Sequence, residues 1–285
     1  MSKLQDKIAA ITGSTQGLGA AIALLFAEEG ARGVVICGRN RAKGEALADK
    51  INSNYEAQAL YIPSDLSRVE DCQRLIQTSA EVFGRIDVLV NSAAMTDRGT
   101  ILDSSPELFD AMFAVNTRAP FFLIQEAVKV MIPQNIEGSI INIGSVSAMA
   151  GQPFIAAYCA SKGALSTLTR NTAFALMRNR IRVNQLNPGW MASDGEDKIQ
   201  REYHGAADDW LKKASAQQPF GRLVEPMEVA RACLFLASSD SGMMTGAEIN
   251  LDQSVWGAYE AGAPTPSQAM QWAEASRGDA SASSA

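Results

Sequence analysis

Tyr158 and Lys162 stand four residues apart within S-V-S-A-M-A-G-Q-P-F-I-A-A-Y-C-A-S-K, the stretch from Ser145 to Lys162. On a helix that spacing puts both side chains on one face, a turn apart. Ser145 lies 13 positions before Tyr158, just after the apolar, strand-like run Ser139 to Ile143. A hydroxyl, a phenol and an ammonium can therefore converge. A phenol ordinarily titrates near pH ~10, too high for a useful base at neutrality. A fixed cation beside it favours the phenolate, and a fall of ~2–3 units needs only ~3–4 kcal/mol of differential interaction. Such a trio suits moving a proton on and off an alcohol oxygen. The plainer reading is a packed tyrosine and a solvated lysine on a helix surface, so the rest of the chain has to decide.

The elements that would position these groups can be read in order. Lys7 to Thr12 is a short apolar run, followed at once by T-G-S-T-Q-G-L-G and the helical pattern Ala20 to Glu29. Strand, glycine-rich turn and helix form a phosphate-binding unit: Gly13, Gly17 and Gly19 let backbone approach a pyrophosphate, and the helix N-terminus faces the anion. Gly33 to Cys37 reads as the second strand. Where a nucleotide-binding fold that prefers NAD places an acid for the ribose 2′-hydroxyl, this chain has Gly38 and then Arg39, a partner for a 2′-phosphate. The expectation is NADP(H), with NAD(H) as the alternative, tempered because Gln16 supplies no second cation. The alternative for Arg39 is a solvated loop.

Arg41 to Asn52 predicts an amphipathic helix and Ala57 to Pro63 a third strand. Asp65, in the turn Ser64-Asp65-Leu66, is placed to accept from an adenine amino group, to cap the helix Arg68 to Phe83, or to do both. Ile86 to Val90 is almost wholly apolar, as a central parallel strand should be, and ends in N-S-A-A. Pro106 to Met131 reads as a long helix interrupted around Val115-Asn116. Ser139 to Ile143, Ala157 to Asn179 and Ile181 to Leu186 supply strand five, the Tyr/Lys helix and strand six. After Asn187-Pro188-Gly189, the segment Trp190 to Phe220 lacks strand pattern, and ~30 residues of this kind predict a functional lid. Pro226 to Ala237 is a further helix and Glu248 to Leu251 a last short strand. The fold class expected is α/β, a single doubly wound domain over residues 1–260: a seven-stranded parallel sheet with helices on both faces and a lid at 190–220. The small, polar residues 261–285 predict a partly flexible tail.

Composition narrows the partners. The chain has 285 residues, 47% hydrophobic and 20% charged, with a net charge of −6 and no Lys/Arg-rich block. That argues against nucleic acid or an anionic membrane as partner. No apolar run reaches the ~18–20 residues needed to cross a bilayer, and M-S-K-L-Q-D-K lacks a secretory apolar core, so a cytoplasmic location is expected. Cys37, Cys72, Cys159 and Cys233 show no zinc or redox spacing, and the single histidine, His204, has no partner at metal-ligand spacing, so no metal is expected.

With T-G-S-T-Q-G-L-G, D-L, N-S-A-A, Asn116, Ser145, Y-C-A-S-K and N-P-G in this order, the chain resembles the short-chain dehydrogenase/reductase family over about residues 5 to 255, whose fold is Rossmann-type. The resemblance implies Tyr158 as general acid/base, Ser145 polarising the carbonyl or steadying the alkoxide, and Lys162 holding the nicotinamide ribose and depressing the tyrosine pKa. Asn116 would kink its helix so that its backbone carbonyl holds a water in the proton relay. The cofactor would run along Gly13, Ser14, Thr15, Gln16, Gly17, Leu18 and Gly19, then Arg39, Asp65, Leu66, Asn91 and Ala93, with Pro188, Gly189 and Ser193 toward the carboxamide. Substrate would meet Ser145, Tyr158, Trp190 and His204. Two departures from the family pattern stand out: Ala94 for a glycine, and Asp252-Gln253-Ser254 for D-G-G. Gln253, Trp256 and Tyr259 are candidates for a specialised wall of the site; Trp256 and Tyr259 could equally pack a subunit interface.

The reaction expected is hydride transfer between a secondary alcohol and a ketone or aldehyde, with a sugar or polyol as substrate. A 3-oxoacyl thioester on an acidic carrier is the alternative, for which Arg118, Lys129, Arg170 and Arg178 hint at a docking patch. A catalytically silent cofactor sensor or scaffold is the non-enzyme alternative, and it has no need of a complete Asn-Ser-Tyr-Lys set. In the lid, Asp194, Glu196, Asp197, Glu202, Asp208, Asp209, Gln217 and Gln218 could bond a polyhydroxylated ligand, against the reading of a solvated helix face. Ala119, Phe121, Phe122, Leu123 and Ile124, with Ala164, Leu165, Leu168, Ala173, Phe174 and Leu176, form more than one apolar stripe on two helices. A second stripe predicts a homo-oligomer, dimer or tetramer.

Overall fold

Four consecutive buried residues, Ile8–Ile11, form β1, the strand on which the sheet is hung. Its side chains alternate: Ala9 and Ile11 enter one apolar cluster and Ala10 another, on opposite faces. β2 (Gly33–Gly38) does the same, with Val34 and Ile36 on one side and Val35 and Cys37 on the other. A strand buried on both faces must be apolar throughout, which is why these runs carry no polar alternation.

The computed structural model describes residues 2–149, 152–255 and 270. Among these, β3 (Gln58–Pro63), β4 (Val88–Asn91), β5 (Ser139–Ile143), β6 (Arg182–Pro188) and β7 (Glu248–Leu251) complete a seven-stranded parallel sheet. The strand order is β3-β2-β1-β4-β5-β6-β7, so the winding direction reverses between β1 and β4. Ligands of such sheets bind at the carboxyl ends of the strands beside that reversal. The expected fold class is therefore the observed one.

The helices are α1 (Gly17–Glu28), α2 (Arg41–Asn54), α3 (Val69–Phe83), α4 (Pro106–Phe113), α5 (Ala119–Met131), α6 (Ala156–Leu176), α7 (Asp194–His204), α8 (Trp210–Ala216) and α9 (Pro226–Ala237). Ile22 and Phe26 of α1 and Val229 and Cys233 of α9 cover one face of the sheet. Leu75 and Ile76 of α3, Leu123 and Ala127 of α5, and Ala173 and Leu176 of α6 cover the other. Burying both faces is what supplies the stability of the layered sheet. The lid segment, expected only to lack strands, folds as α7 and α8.

The interruption read at Val115-Asn116 is a π-helical turn, Ala114–Arg118, between α4 and α5. Pro120 gives its physical cause. A proline has no N–H to donate to the carbonyl four residues back, and its ring crowds that carbonyl; four residues back is Asn116.

Residues up to Gln253 form one unit, and those from Ser254 onward a second. Trp256, Tyr259 and, except for Met270, the tail at 261–285 lie outside the described residues.

Candidate active site

Ser145 follows β5 by one residue and caps the short 3₁₀ turn Val146–Ala148, its Oγ accepting from Ser147 N at 3.1 Å. Tyr158 and Lys162 lie on the first turns of α6, on the face expected from their spacing. Ser145 hydrogen-bonds the Tyr158 hydroxyl. Lys162 is 1% exposed; its Nζ donates to the Ile143 carbonyl at 2.7 Å and stands 5.7 Å from the Tyr158 ring centroid. The carboxyl end of β5 thus fixes the hydroxyl directly and the ammonium through Ile143.

The electrostatics differ from the expectation that Lys162 depresses the tyrosine. Tyr158 is half-buried, its ring reaching the cavity, but its hydroxyl end is desolvated, and this pushes the phenol up to about 12. The hydrogen bond from Ser145 works against that rise, while the charges of Cys159 and Glu196 add to it. Burial likewise brings the Lys162 ammonium down to about 8. Desolvation disfavours the charged form of each group, raising the acid and lowering the base. At neutral pH Tyr158 is the phenol and Lys162 is largely protonated.

Asn116 is 1% exposed and its side chain is fully engaged: Oδ1 accepts from Met95 N at 2.8 Å, and Nδ2 donates to Met95 O at 2.8 Å and to Ser161 Oγ at 3.0 Å. It ties the loop after β4 to α6, while Pro120, four residues on, has no N–H to donate to its backbone carbonyl.

The glycine turn fits the pyrophosphate of a dinucleotide. Gly13 and Gly17 have φ of +64° and +56°, a region that side chains resist. A Cβ on Gly13 would lie 2.7 Å from Ala93 Cα, whereas Gly17 has nothing within 4 Å, an open cradle at the start of α1. Leu18, Pro188, Gly189 and Ser193 line the cavity in front of Tyr158. Thr15 lies against Gly38, where a Cβ would come within 2.8 Å of its side chain, so an acid at position 38 would displace Thr15. Arg39 is exposed beside this gap. Lys43, on the first turn of α2, donates from Nζ to Gln16 Oε1 at 2.8 Å. Gln16 supplies no cation itself, yet it holds one. That lysine sits one helical turn past Arg39, a spacing visible in the sequence but not used there.

Other expected cofactor residues take structural tasks with their side chains. Ser14 Oγ donates to Ile11 O at 2.7 Å and accepts from Cys37 N at 3.0 Å, tying β1 to β2. Leu66 is buried in the apolar layer. Asp65 Oδ1 accepts from Ser67 N and Ser67 Oγ, closing its own turn, while the residue that starts α3 is Arg68. Asn91 Nδ2 donates to Asn142 Oδ1 at 2.8 Å, and its Oδ1 is a buried acceptor without a partner among the described residues. This begins a file of polar side chains, buried except for Asn250 at its far end: Asn142 Nδ2 to Thr169 Oγ1, Thr169 Oγ1 to Gln185 Oε1, Gln185 Nε2 to Asn187 Oδ1, Asn187 Nδ2 to Asn250 Oδ1.

The lid lines one side of the cavity of about 620 Å³. Of the lid side chains named from sequence, Glu196 and His204 line it, together with Gln200, whereas Asp197 is bound by Arg201 and the Trp210 indole and Asp208 by Arg201. Arg98, from the loop after β4, bonds His204 Nε2 at 3.2 Å and lies over the Phe154 and Tyr203 rings, latching the end of α7 to the rim. Gln253 acts as a clamp rather than a wall, accepting from Phe220 N and donating to Arg222 O. Sequence reasoning missed Arg98, which stands in a loop without pattern. Glu196 was one acid among many, although S-D-G-E is a helix-start signature in which Ser193 Oγ caps Glu196 N. Among the described residues no three metal-ligating side chains are gathered, and no helix is long and apolar enough to cross a membrane.

Residues 13–254 match the family model described as enoyl-(acyl carrier protein) reductase. An uncharacterized oxidoreductase of Thermotoga maritima is 36% identical over 248 residues, covering 87% of this chain and 96% of the relative. Galactitol 2-dehydrogenase of Agrobacterium fabrum is 33% identical over 260 residues, 89% and 99% of the two chains. An NADP-dependent (R)-specific alcohol dehydrogenase of Lentilactobacillus kefiri is 32% identical over 252 residues, 88% and 96% of the two chains.

Proposed function

This chain belongs to the short-chain dehydrogenase/reductase family, an oxidoreductase enzyme by that membership, and from this premise we propose that it interconverts a secondary alcohol and a carbonyl, with NADP(H) preferred to NAD(H) and a sugar or polyol as substrate. The observation that carries the reading is the convergence of Ser145, Tyr158 and Lys162 at one end of the cavity with the glycine cradle opening beside it.

The cofactor supplies or accepts the hydride. Tyr158, held as the phenol by burial, gives its proton to a carbonyl oxygen and takes it back from the alcohol in reverse. Ser145, fixed by the turn it caps, donates to the same oxygen. Lys162 meets the ribose and, from within the wall, favours the phenolate that forms. The Asn116 carbonyl, left without its helical donor, holds a water that returns the proton to solvent.

NADP(H) preference is supported by Arg39 and Lys43 flanking Gly38 and by the acid that Thr15 excludes there. A polyol is supported by the polar side chains around Tyr158 and by the similarity to galactitol 2-dehydrogenase. The carrier-bound thioester has less support: Arg118 donates to Ser67 O, Lys129 pairs with Glu126 and Arg170 with Glu248, so of the four basic residues only Arg178 is without a bond among the described residues. We propose further that the enzyme acts in the cytoplasm as a homo-oligomer.

The test is turnover of alcohol and ketone panels with both cofactors by wild type and Tyr158→Phe. General acid–base catalysis is worth ~10²–10⁴, so the variant should lose at least ~10²-fold while keeping its circular dichroism spectrum. Undiminished turnover by Tyr158→Phe would refute the assignment and revive a non-catalytic reading.

A further inference from the structure

Trp190 Nε1 donates to Glu196 Oε1 at 2.8 Å, and Gln200 Nε2 donates to the same oxygen at 2.7 Å. Both donors are spent on one carboxylate oxygen. The other, Oε2, has no hydrogen bond among the described residues, and the side chain lines the cavity in front of Tyr158. Its charge is close enough to raise the tyrosine pKa. The anchoring is one-sided: the indole and the amide hold one oxygen and leave the other as a spare acceptor on a residue that lines the cavity.

The neighbouring groups have spare capacity of the opposite kind as well. Gln152 Oε1 accepts from Ser147 Oγ at 2.6 Å, which directs the amide and leaves its Nε2 donor without a bond among the described residues. Gln200, having spent a donor on Glu196, keeps an acceptor. A ligand here both gives and receives hydrogen bonds, and the half-exposed Trp190 ring offers a face for C–H groups. A carboxylate next to the reacting carbon would be repelled by Glu196. An ammonium would leave the Gln152 donor unused and would share the cavity with the Arg98 guanidinium.

We propose that Glu196 is the specificity-determining residue of the pocket, accepting a hydrogen bond from a neutral hydroxyl on a carbon close to the reacting carbinol. The preferred substrates are then vicinal diols and polyols over simple secondary alcohols, and 2-hydroxy acids are excluded. This rests on the alcohol–carbonyl reading above and adds to it the group that recognises the second hydroxyl.

The experiment compares wild type, Glu196→Ala and Glu196→Gln, using a six-carbon alditol and 2-hexanol. It measures kcat/KM for each alcohol and, by calorimetry, the direct binding of each to the enzyme. A hydrogen bond to a charged group corresponds to about 10- to 100-fold in affinity. In Glu196→Ala the alditol-to-hexanol ratio should fall by about that factor, in kcat/KM and in binding alike. Glu196→Gln, which keeps an acceptor oxygen of the same reach, should recover part of the loss. An unchanged ratio in Glu196→Ala overturns the proposal, as does tighter binding of an amino alcohol than of the diol by wild type. If wild type turns over neither alcohol, the secondary-alcohol reading falls, and the calorimetric ratio still decides the role of Glu196.

Discussion

Pro120 stands four residues after Asn116 and has no N–H for its carbonyl, and the helix between them widens into the π turn Ala114–Arg118. A sequence choice at one position thereby exposes a backbone acceptor at another, while the Asn116 side chain is held by Met95 and Ser161. Pro120→Ala restores the donor. The variant should become more stable to heat, as a helix that regains a bond, yet lose on the order of tenfold in kcat, a fraction of what general acid–base catalysis contributes. Unaltered kcat in a variant with a raised melting temperature would remove the Asn116 carbonyl from the proton path.

The proposed preference for NADP(H) rests on two cations, Arg39 and Lys43, on either side of Asn40, which caps α2 through Lys43 N. Charge-assisted hydrogen bonds to a phosphate are each worth ~1.5–3 kcal/mol. Arg39→Ala and Lys43→Ala should each raise the Kd for NADPH about 10-fold or more and leave that for NADH nearly as it was. Equal weakening of both cofactors would assign these residues to the pyrophosphate or to the fold instead.

Lys162 makes stability depend on pH. Its ammonium titrates at about 8 in the folded chain against 10.5 ordinarily. Between those values the unfolded chain binds more protons, so stability rises with pH across that window; below pH 8 the full cost of burying the charge is present. That cost is on the order of 3 kcal/mol. Lys162→Met should therefore be the more stable protein in urea at pH 7, with the gap to wild type closing by pH 10. Cys37, Cys72, Cys233 and Tyr158, raised by burial, destabilise the fold at alkaline pH, but equally in both proteins. A gap that is constant from pH 7 to 10 would mean that Lys162 is not desolvated as described.

The proposed assembly rests on residues that the sheet does not cover. Leu123, Ile124, Leu165 and Ala173 are buried, whereas Phe121 is 48% and Phe174 76% exposed. These two phenylalanines are the second apolar stripe, and a homodimer or homotetramer would cover them. Sedimentation at micromolar concentration should give a mass at least twice the 30.4 kDa of the chain, reduced to that of the single chain by Phe121→Glu with Phe174→Glu. A wild type of 30.4 kDa would defeat the proposal.

The sheet was legible because each buried strand is a continuous apolar run and each turn carries its glycines; strand ends moved by one or two residues where pairing, rather than composition, sets them. Asn116 was legible as an anomaly in a helix, although its cause, Pro120, was not drawn from it. The far side of the site was not. Arg98 and Gln152 come from loops whose course depends on packing, and Lys43 reaches Gln16 only because α2 folds back beside α1. The tyrosine pKa had the wrong sign because spacing reveals a nearby cation but not the depth at which both groups lie.

The polar file from Asn91 to Asn250, buried up to Asn187, crosses four adjacent strands, β4 to β7, by way of Thr169 on α6; each amide points its donor toward the next member, and Thr169 shares its one proton between Gln185 and the Leu165 carbonyl. Such a file has a sense, like a row of compass needles. Turning a single amide would set donor against donor on one side and acceptor against acceptor on the other, so the row turns together or not at all. Its leading end is the Asn91 carbonyl oxygen, the one acceptor in the row left open. A donor arriving there would align with every dipole behind it, and an acceptor would oppose them all.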